Sequence, residues 1–311
     1  MKGLRHEITP KPAPGRMPRT AGAPSICPIL PILPPLPLTR CPMPDLSAAP
    51  RATLALYGGG ADEALVALLA GLLPHPGAPI EVLTTASTAN PARTAASYAR
   101  SWEARGCPNV GHLEVDETHP ADAPATLARL RRAALVFISG GNQERLTQFL
   151  LGTEFLAVLR ERCRADEGFI LAGTSAGAAG LAEFMLVEGR GWRSLLPGGV
   201  AVVPGLGLLP GVVLDQHFAE RHRYPRLLHA VLAHPTCLGL GLSEETGLLL
   251  RPGQPAEVFG DEVVFAFDAA TAQYISLVGP GPRQPVSGHG LTTHLLVAGQ
   301  RLDLATRRVV G

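Results

Sequence analysis

Beyond residue 51 the chain alternates short apolar runs with stretches whose apolar residues recur every three or four positions. Residues 54–57 form the first run and end in Gly58, Gly59 and Gly60, after which Leu65, Leu68, Leu69 and Leu72 share one helical face. The run 80–83 ends in the polar segment 84–87, and a helix follows over about 91–105 with Pro91 in its first turn. A third strand is expected at 110–115 and a helix at 124–132 that again starts on proline. The run 134–138 is wholly apolar, as a strand covered on both faces should be. Two helical stretches lead to the apolar residues 169–172, and a further helix is expected from residue 176 through Leu181 and Met185. Repeated strand–helix units of this kind predict an α/β fold, a mostly parallel sheet flanked by helices. From about Thr246 short alternating runs separated by turn residues (247–250, 263–267, 274–278, 294–297) predict antiparallel β additions at one edge. One domain is expected over 51–311.

In parallel sheets the ligand crevice lies beyond the carboxyl ends of the strands. The most informative such end is Gly173-Thr174-Ser175-Ala176-Gly177, a G-x-S-x-G segment between an apolar run and a helical one. That is how a nucleophile elbow reads: a sharp strand-to-helix turn lifts the Ser175 hydroxyl above the sheet, and the first helical N–H groups face whatever negative charge develops beside it. Gly173 and Gly177 leave room where strand and helix backbones approach. Gly58–Gly60 lacks the rest of a nucleotide-binding fingerprint.

A serine needs a base and the base needs an orienting acid. His217 follows the strand that ends near Asp215, and an imidazole titrates where a base must. Arg221, Arg223 and Arg226 follow within one short segment, a density of guanidinium groups suited to carboxylate-bearing ligands. The next apolar run, 237–242, ends at Glu244 and Glu245, either of which supplies an acid. His217 and His222 lack the spacing that would put them on one helical face, so no metal is expected, and nothing calls for a cofactor. An esterase with the order serine, acid, histidine would need Asp261 or Asp268 followed by His289 or His294, all in turn-rich sequence of little information.

Charge and proline content separate the first fifty residues from the rest. They hold 13 of the 30 prolines and six Lys/Arg against two Asp/Glu, leaving 21 basic and 24 acidic residues beyond them. Proline at that density predicts a disordered or polyproline tail over 1–50. It also interrupts any apolar core of a signal peptide, so the chain reads as cytoplasmic, with secretion left open by the tail. No run reaches the length of a membrane span, and no basic surface of the nucleic-acid kind is apparent. Cys27, Cys41, Cys107, Cys163 and Cys237 show no paired or zinc-like spacing and read as reduced thiols.

Four segments together resemble one family. G-G-N-Q at 140–143, G-T-S-A-G-A at 173–178, D-Q-H-F-x-x-R-x-R-x-x-R-L at 215–227 and S-E-E-T at 243–246 are similar to the cyanophycinase branch of the peptidase E-like serine peptidases. The resemblance runs from about Thr53 to the C-terminus; the proline-rich tail has no place in it. It implies a class I glutamine amidotransferase-like fold and a triad of Ser175, His217 and Glu244. It further implies an exo-acting serine hydrolase that releases β-Asp-Arg dipeptides from cyanophycin, a polyaspartate with arginine on each side-chain carboxyl. A related peptidase acting on aspartyl dipeptides is the alternative, and a non-catalytic module of the same fold a more distant one. A homodimer is among the assemblies the resemblance allows. Gln143, Asp215, Arg221, Arg223 and Arg226 fall on substrate-binding positions. The oxyanion hole is expected from backbone N–H groups of Gly140, Gly141 and Ala176. Asp215 is the expected partner of the substrate's guanidinium or of its chain terminus.

Overall fold

Wholly apolar strands need cover on both faces, and helices provide it here. In the computed structural model, which describes residues 50–278 and 284–311, the chain runs β1 (Thr53–Tyr57), α1 (Glu63–Leu72), β2 (Ile80–Leu83), α2 (Pro91–Glu103), β3 (Val110–Leu113), α3 (Pro124–Arg132), β4 (Leu135–Ile138), α4 (Gln143–Leu150), α5 (Glu154–Ala165) and β5 (Ile170–Thr174). Strands β1, β5, β4, β2 and β3 lie side by side in that order, all parallel. Side chains alternate across the sheet with the period of two that a strand imposes. Ala55, Tyr57, Val82 and Phe137 face Leu65, Leu69 and Trp102 of α1 and α2. Leu54, Leu56, Val136 and Ile138 face the apolar sides of α3, α4 and α5. Helix starts follow local chemistry: Asn90 accepts from the Arg93 N–H ahead of Pro91, and the Thr153 hydroxyl accepts from the Leu156 N–H.

Helix α6 (Ala176–Leu181) is shorter than the periodicity predicts. The chain leaves it directly into β6 (Ala182–Leu186), which places Met185 in a strand and begins a second sheet with β7 (Val202–Pro204), β8 (Leu209–Gln216) and β9 (Leu238–Leu242). The pairing partners of β6 arrive many residues later, so a local reading has no access to them. Helix α7 (Tyr224–Ala233) connects β8 to β9.

From residue 246 onward the chain adds β10 (Thr246–Leu250), β11 (Ala256–Gly260), β12 (Val264–Asp268), β13 (Tyr274–Ser276), β14 (Ser287–His289), β15 (Thr292–Leu296), β16 (Arg301–Asp303) and β17 (Arg308–Val310). Among the described residues, β10, β11, β16 and β17 extend the first sheet beyond β1 to nine strands, and β12 and β15 extend the second to six. The fold is therefore α/β with a parallel core and antiparallel C-terminal strands. Those strands are divided between the two sheets, with β13 and β14 pairing as a separate two-stranded sheet, rather than gathered at one edge. The chain passes from the second sheet to the first between β9 and β10, over residues 243–245.

The expected tail over 1–50 lies, but for Pro50, outside the described residues. Among the described residues no helix is long and apolar enough to cross a membrane.

Candidate active site

The ends of β5, β8 and β9 all reach the segment that follows β1. Three consecutive carbonyls there each receive an N–H: Tyr57 from Ser175 at 2.9 Å, Gly58 from His217 at 3.0 Å and Gly59 from Glu245 at 2.7 Å. One short stretch of backbone thus ties down the turns that carry a serine, a histidine and a glutamate from distant parts of the chain.

Ser175 stands between β5 and α6 with φ +51° and ψ −115°, a strained geometry for a residue with a side chain. The turn fits because Gly173 and Gly177 nearly touch: a Cβ on Gly173 would stand 2.6 Å from the Gly177 carbonyl carbon. The Ser175 Oγ lies 2.7 Å from His217 Nε2, and His217 Nδ1 lies 2.6 Å from Glu244 Oε1. Of the two acids at that strand end, Glu244 reaches the imidazole. Glu245 is exposed, at φ +53°. The next residue after His217, Phe218, is fully buried among Tyr224, Phe265 and Phe267, which anchors the turn from below. Its N–H also donates to the Leu242 carbonyl at the end of β9 at 3.0 Å.

Electrostatics suit an imidazole that starts neutral. Burial lowers the pKa of His217, the Glu244 bond opposes this, and the charges of Arg221 and Arg223 lower it further. With Glu244 at Nδ1, the proton rests on that nitrogen and Nε2 is left to accept from Ser175. Across from Ser175, Gly140 lies close enough that a Cβ there would stand 3.4 Å from the Ser175 Cβ. Neither the Gly140 nor the Gly141 N–H donates to another described group, and Ala176 opens α6, where N–H groups have no partner inside the helix.

Asp215 departs from its expected place. Its side chain is 1% exposed and its oxygens are taken by Arg226 Nε at 2.6 Å, by the Arg226 Nη2 and by Arg223 Nη1 at 3.0 Å. A carboxylate enclosed in this way has nothing left for a substrate guanidinium. Gln143 is likewise buried, with Nε2 donating to the Leu186 carbonyl at 2.7 Å and Oε1 accepting from Gln216 at 3.3 Å. Arg221 is exposed. With Arg223, Arg226, Arg190 and Ser194 it lines a cavity of about 690 Å³ beside the histidine turn. Burial pulls the Arg223 guanidinium down to about 10, with Asp215 opposing.

Gly59, in the glycine run at the end of β1, and Gln216, in the D-Q-H-F motif, also border the site, though no role was expected of either. A Cβ on Gly59 would stand 2.4 Å from the Cε1 of His217, so the imidazole lies directly on the backbone of this residue. A run of three glycines after a strand was the available signal. Gln216 sits beside the base inside the D-Q-H-F motif, and its buried Oε1 has no hydrogen-bond partner among the described residues.

A serine on a strained elbow, with base and acid in line, is the equipment of a covalent hydrolase. The model described as Peptidase family S51 matches residues 58–257. The chain belongs to peptidase family S51. It is a peptidase, and so a hydrolase. The chain is 33% identical over 231 residues to a cyanophycinase of Trichormus variabilis, across 74% of this chain and 77% of that one. It is 36% identical over 204 residues to a cyanophycinase of Synechococcus elongatus, across 66% and 63%. Among solved structures, a peptidase from an acI-B1 actinobacterium superposes with a TM-score of 0.59 over 82% of this chain and 98% of that one, at 23% identity, a likeness of fold.

Proposed function

We propose that this peptidase hydrolyses cyanophycin from a chain end, releasing β-Asp-Arg dipeptides through an acyl-enzyme on Ser175. The observation that carries the reading is the arginine-lined cavity bordered by Arg221, His222 and Arg223, in the turn that follows His217. An arginine attached through its amino group keeps both its carboxylate and its guanidinium, so every unit of the polymer presents an anion that such a cavity can bind.

The chemistry follows from the distances. Ser175 Oγ attacks the peptide carbonyl while His217 Nε2 takes its proton, and Glu244 stabilises the imidazolium that forms. The N–H groups of Gly140, Gly141 and Ala176 bind the oxyanion of the tetrahedral intermediate. His217 then protonates the leaving amine, and water repeats the sequence to free the enzyme. Arg221 is the arginine most available to substrate. Asp215 acts from behind, holding Arg223 and Arg226 at the cavity wall, and Gln143 braces Gln216 next to the base. The buried Cys107 and Cys163 thiols fit a reducing, cytoplasmic setting.

Purified protein incubated with insoluble cyanophycin is expected to clear the suspension and release β-Asp-Arg detectable by mass spectrometry. Ser175→Ala is expected to lose about 10⁶ in kcat. Activity on free aspartyl dipeptides without clearing of cyanophycin would assign the dipeptidase reading instead. Clearing by Ser175→Ala at the wild-type rate would overturn the nucleophile.

A further inference from the structure

Asp62 precedes α1, where an aspartate ordinarily caps the helix by accepting an N–H of its first turn. Here no side-chain cap bond forms. Both carboxylate oxygens are used elsewhere: Oδ2 accepts from the Tyr98 hydroxyl of α2 at 2.5 Å, and Oδ1 from the Thr174 hydroxyl at the end of β5 at 2.7 Å. Thr174 is the neighbour of Ser175 in the chain, and a strained backbone persists only where its surroundings over-determine it. One hold on the elbow is the Ser175 N–H on the Tyr57 carbonyl. Asp62 supplies another.

We propose that Asp62 is a positioning residue for the nucleophile: it fixes the Thr174 end of β5 against α1 and α2, so that the Ser175 hydroxyl stays on His217. The inference rests on the serine-hydrolase reading above. A carboxylate is suited to the task because hydrogen bonds to an ionised acceptor are about twice as strong as neutral ones. An asparagine of nearly the same shape can accept on one side only, since its NH2 group donates. Charge enters as well. Burial raises the Asp62 pKa, the Tyr98 and Thr174 hydroxyls lower it, Glu63 raises it and His217 lowers it. Attraction between Asp62 and a protonated His217 means that the carboxylate also favours the imidazolium.

The test is the rate at which a fluorophosphonate probe labels Ser175 across a pH series, with melting temperature recorded for each protein. This readout depends on the nucleophile and base and not on the identity of the peptide substrate. Asp62→Asn is expected to label about tenfold more slowly, the loss for one bond to a charged acceptor. Its acid limb should also shift to lower pH, because His217 loses a favourable charge. Thr174→Val removes the bond but no charge, so it is expected to slow labelling with the acid limb unmoved. A purely structural role would lower the melting temperature and leave both the labelling rate and the acid limb of folded Asp62→Asn at their wild-type values, which would overturn the proposal. If Asp62→Asn does not fold, Thr174→Val decides alone, and labelling at the wild-type rate overturns it. A wild type that takes up no probe overturns the serine-hydrolase reading and this inference with it. Labelling without dipeptide release strikes only the assignment of cyanophycin, and the rate comparison still decides the role of Asp62.

Discussion

Replacing Gly59 tests the geometry of the site at its most crowded point. Its φ is +103°, and a Cβ there would stand 2.4 Å from Cε1 and 2.8 Å from Nε2 of His217. Gly59→Ala therefore carries two costs that separate experimentally. Holding a side-chain-bearing residue in this backbone region costs about 1–3 kcal/mol, which for a domain of this size lowers Tm by several degrees. The contact itself must open by about 1 Å to reach the ordinary 3.4 Å of van der Waals separation. The imidazole is what gives way, because the Gly59 carbonyl is tied to the Glu245 N–H. A misplacement of about 1 Å in a reacting group costs on the order of 10²-fold in rate. Gly59→Ala is accordingly expected to lower kcat about 100-fold while KM stays near the wild-type value, since the arginine cavity is lined by other residues. Steady-state kinetics of dipeptide release well below the Tm of the variant would measure both. A kcat within about threefold of wild type would refute the argument that the histidine is seated on this backbone.

Two further predictions concern the base and the arginines. In the proposed mechanism His217 works as a base only when neutral, and its lowered pKa keeps it neutral to lower pH than an ordinary histidine. The acid limb of kcat/KM should therefore lie below the ordinary histidine value, with activity lost as pH falls through it; a limb above that value would refute the burial argument. Asp215→Ala leaves Arg223 and Arg226 with a buried charge deficit, for which breaking a buried pair typically costs about 3–5 kcal/mol. Urea denaturation should show a loss near the lower end of that range, because Arg223 retains some exposure, and a loss below about 1 kcal/mol would contradict the enclosure of Asp215.

The parts of this fold that were legible from sequence are those decided locally. Strand β2 and helix α3 begin and end where the pattern predicts, because apolar runs and prolines punctuate them within a few residues. The elbow was legible for the same reason: strand, turn and helix are contiguous around Ser175. Long-range pairing was not legible. Residues 182–186 (Ala-Glu-Phe-Met-Leu) are compatible with a continued helix, and what makes them a strand is β8, more than twenty residues downstream. Asp215 followed the same logic in reverse. A carboxylate two residues before a candidate base looks available, yet arginines eight and eleven residues on enclose it. The glycines at 58–60 were visible as a strand end, but the imidazole that requires them comes from the other sheet. Asp62 could not be singled out from sequence at all, because its partners Tyr98 and Thr174 lie 36 and 112 residues away.

The shared anchor at Tyr57, Gly58 and Gly59 also sets a schedule for the molecule during its synthesis. The anchor is made early, the nucleophile midway, the base later and the acid last, with β10 pairing antiparallel to β1 only after that. At about 5–20 residues per second, roughly 4–14 s separate the appearance of Ser175 from that of Thr246. Through that interval the growing chain contains the serine but not every residue of the proposed relay. With the proposed triad, peptide-cleaving power therefore cannot precede the appearance of Glu244, whose strand end joins the same stretch of backbone as the turns of Ser175 and His217.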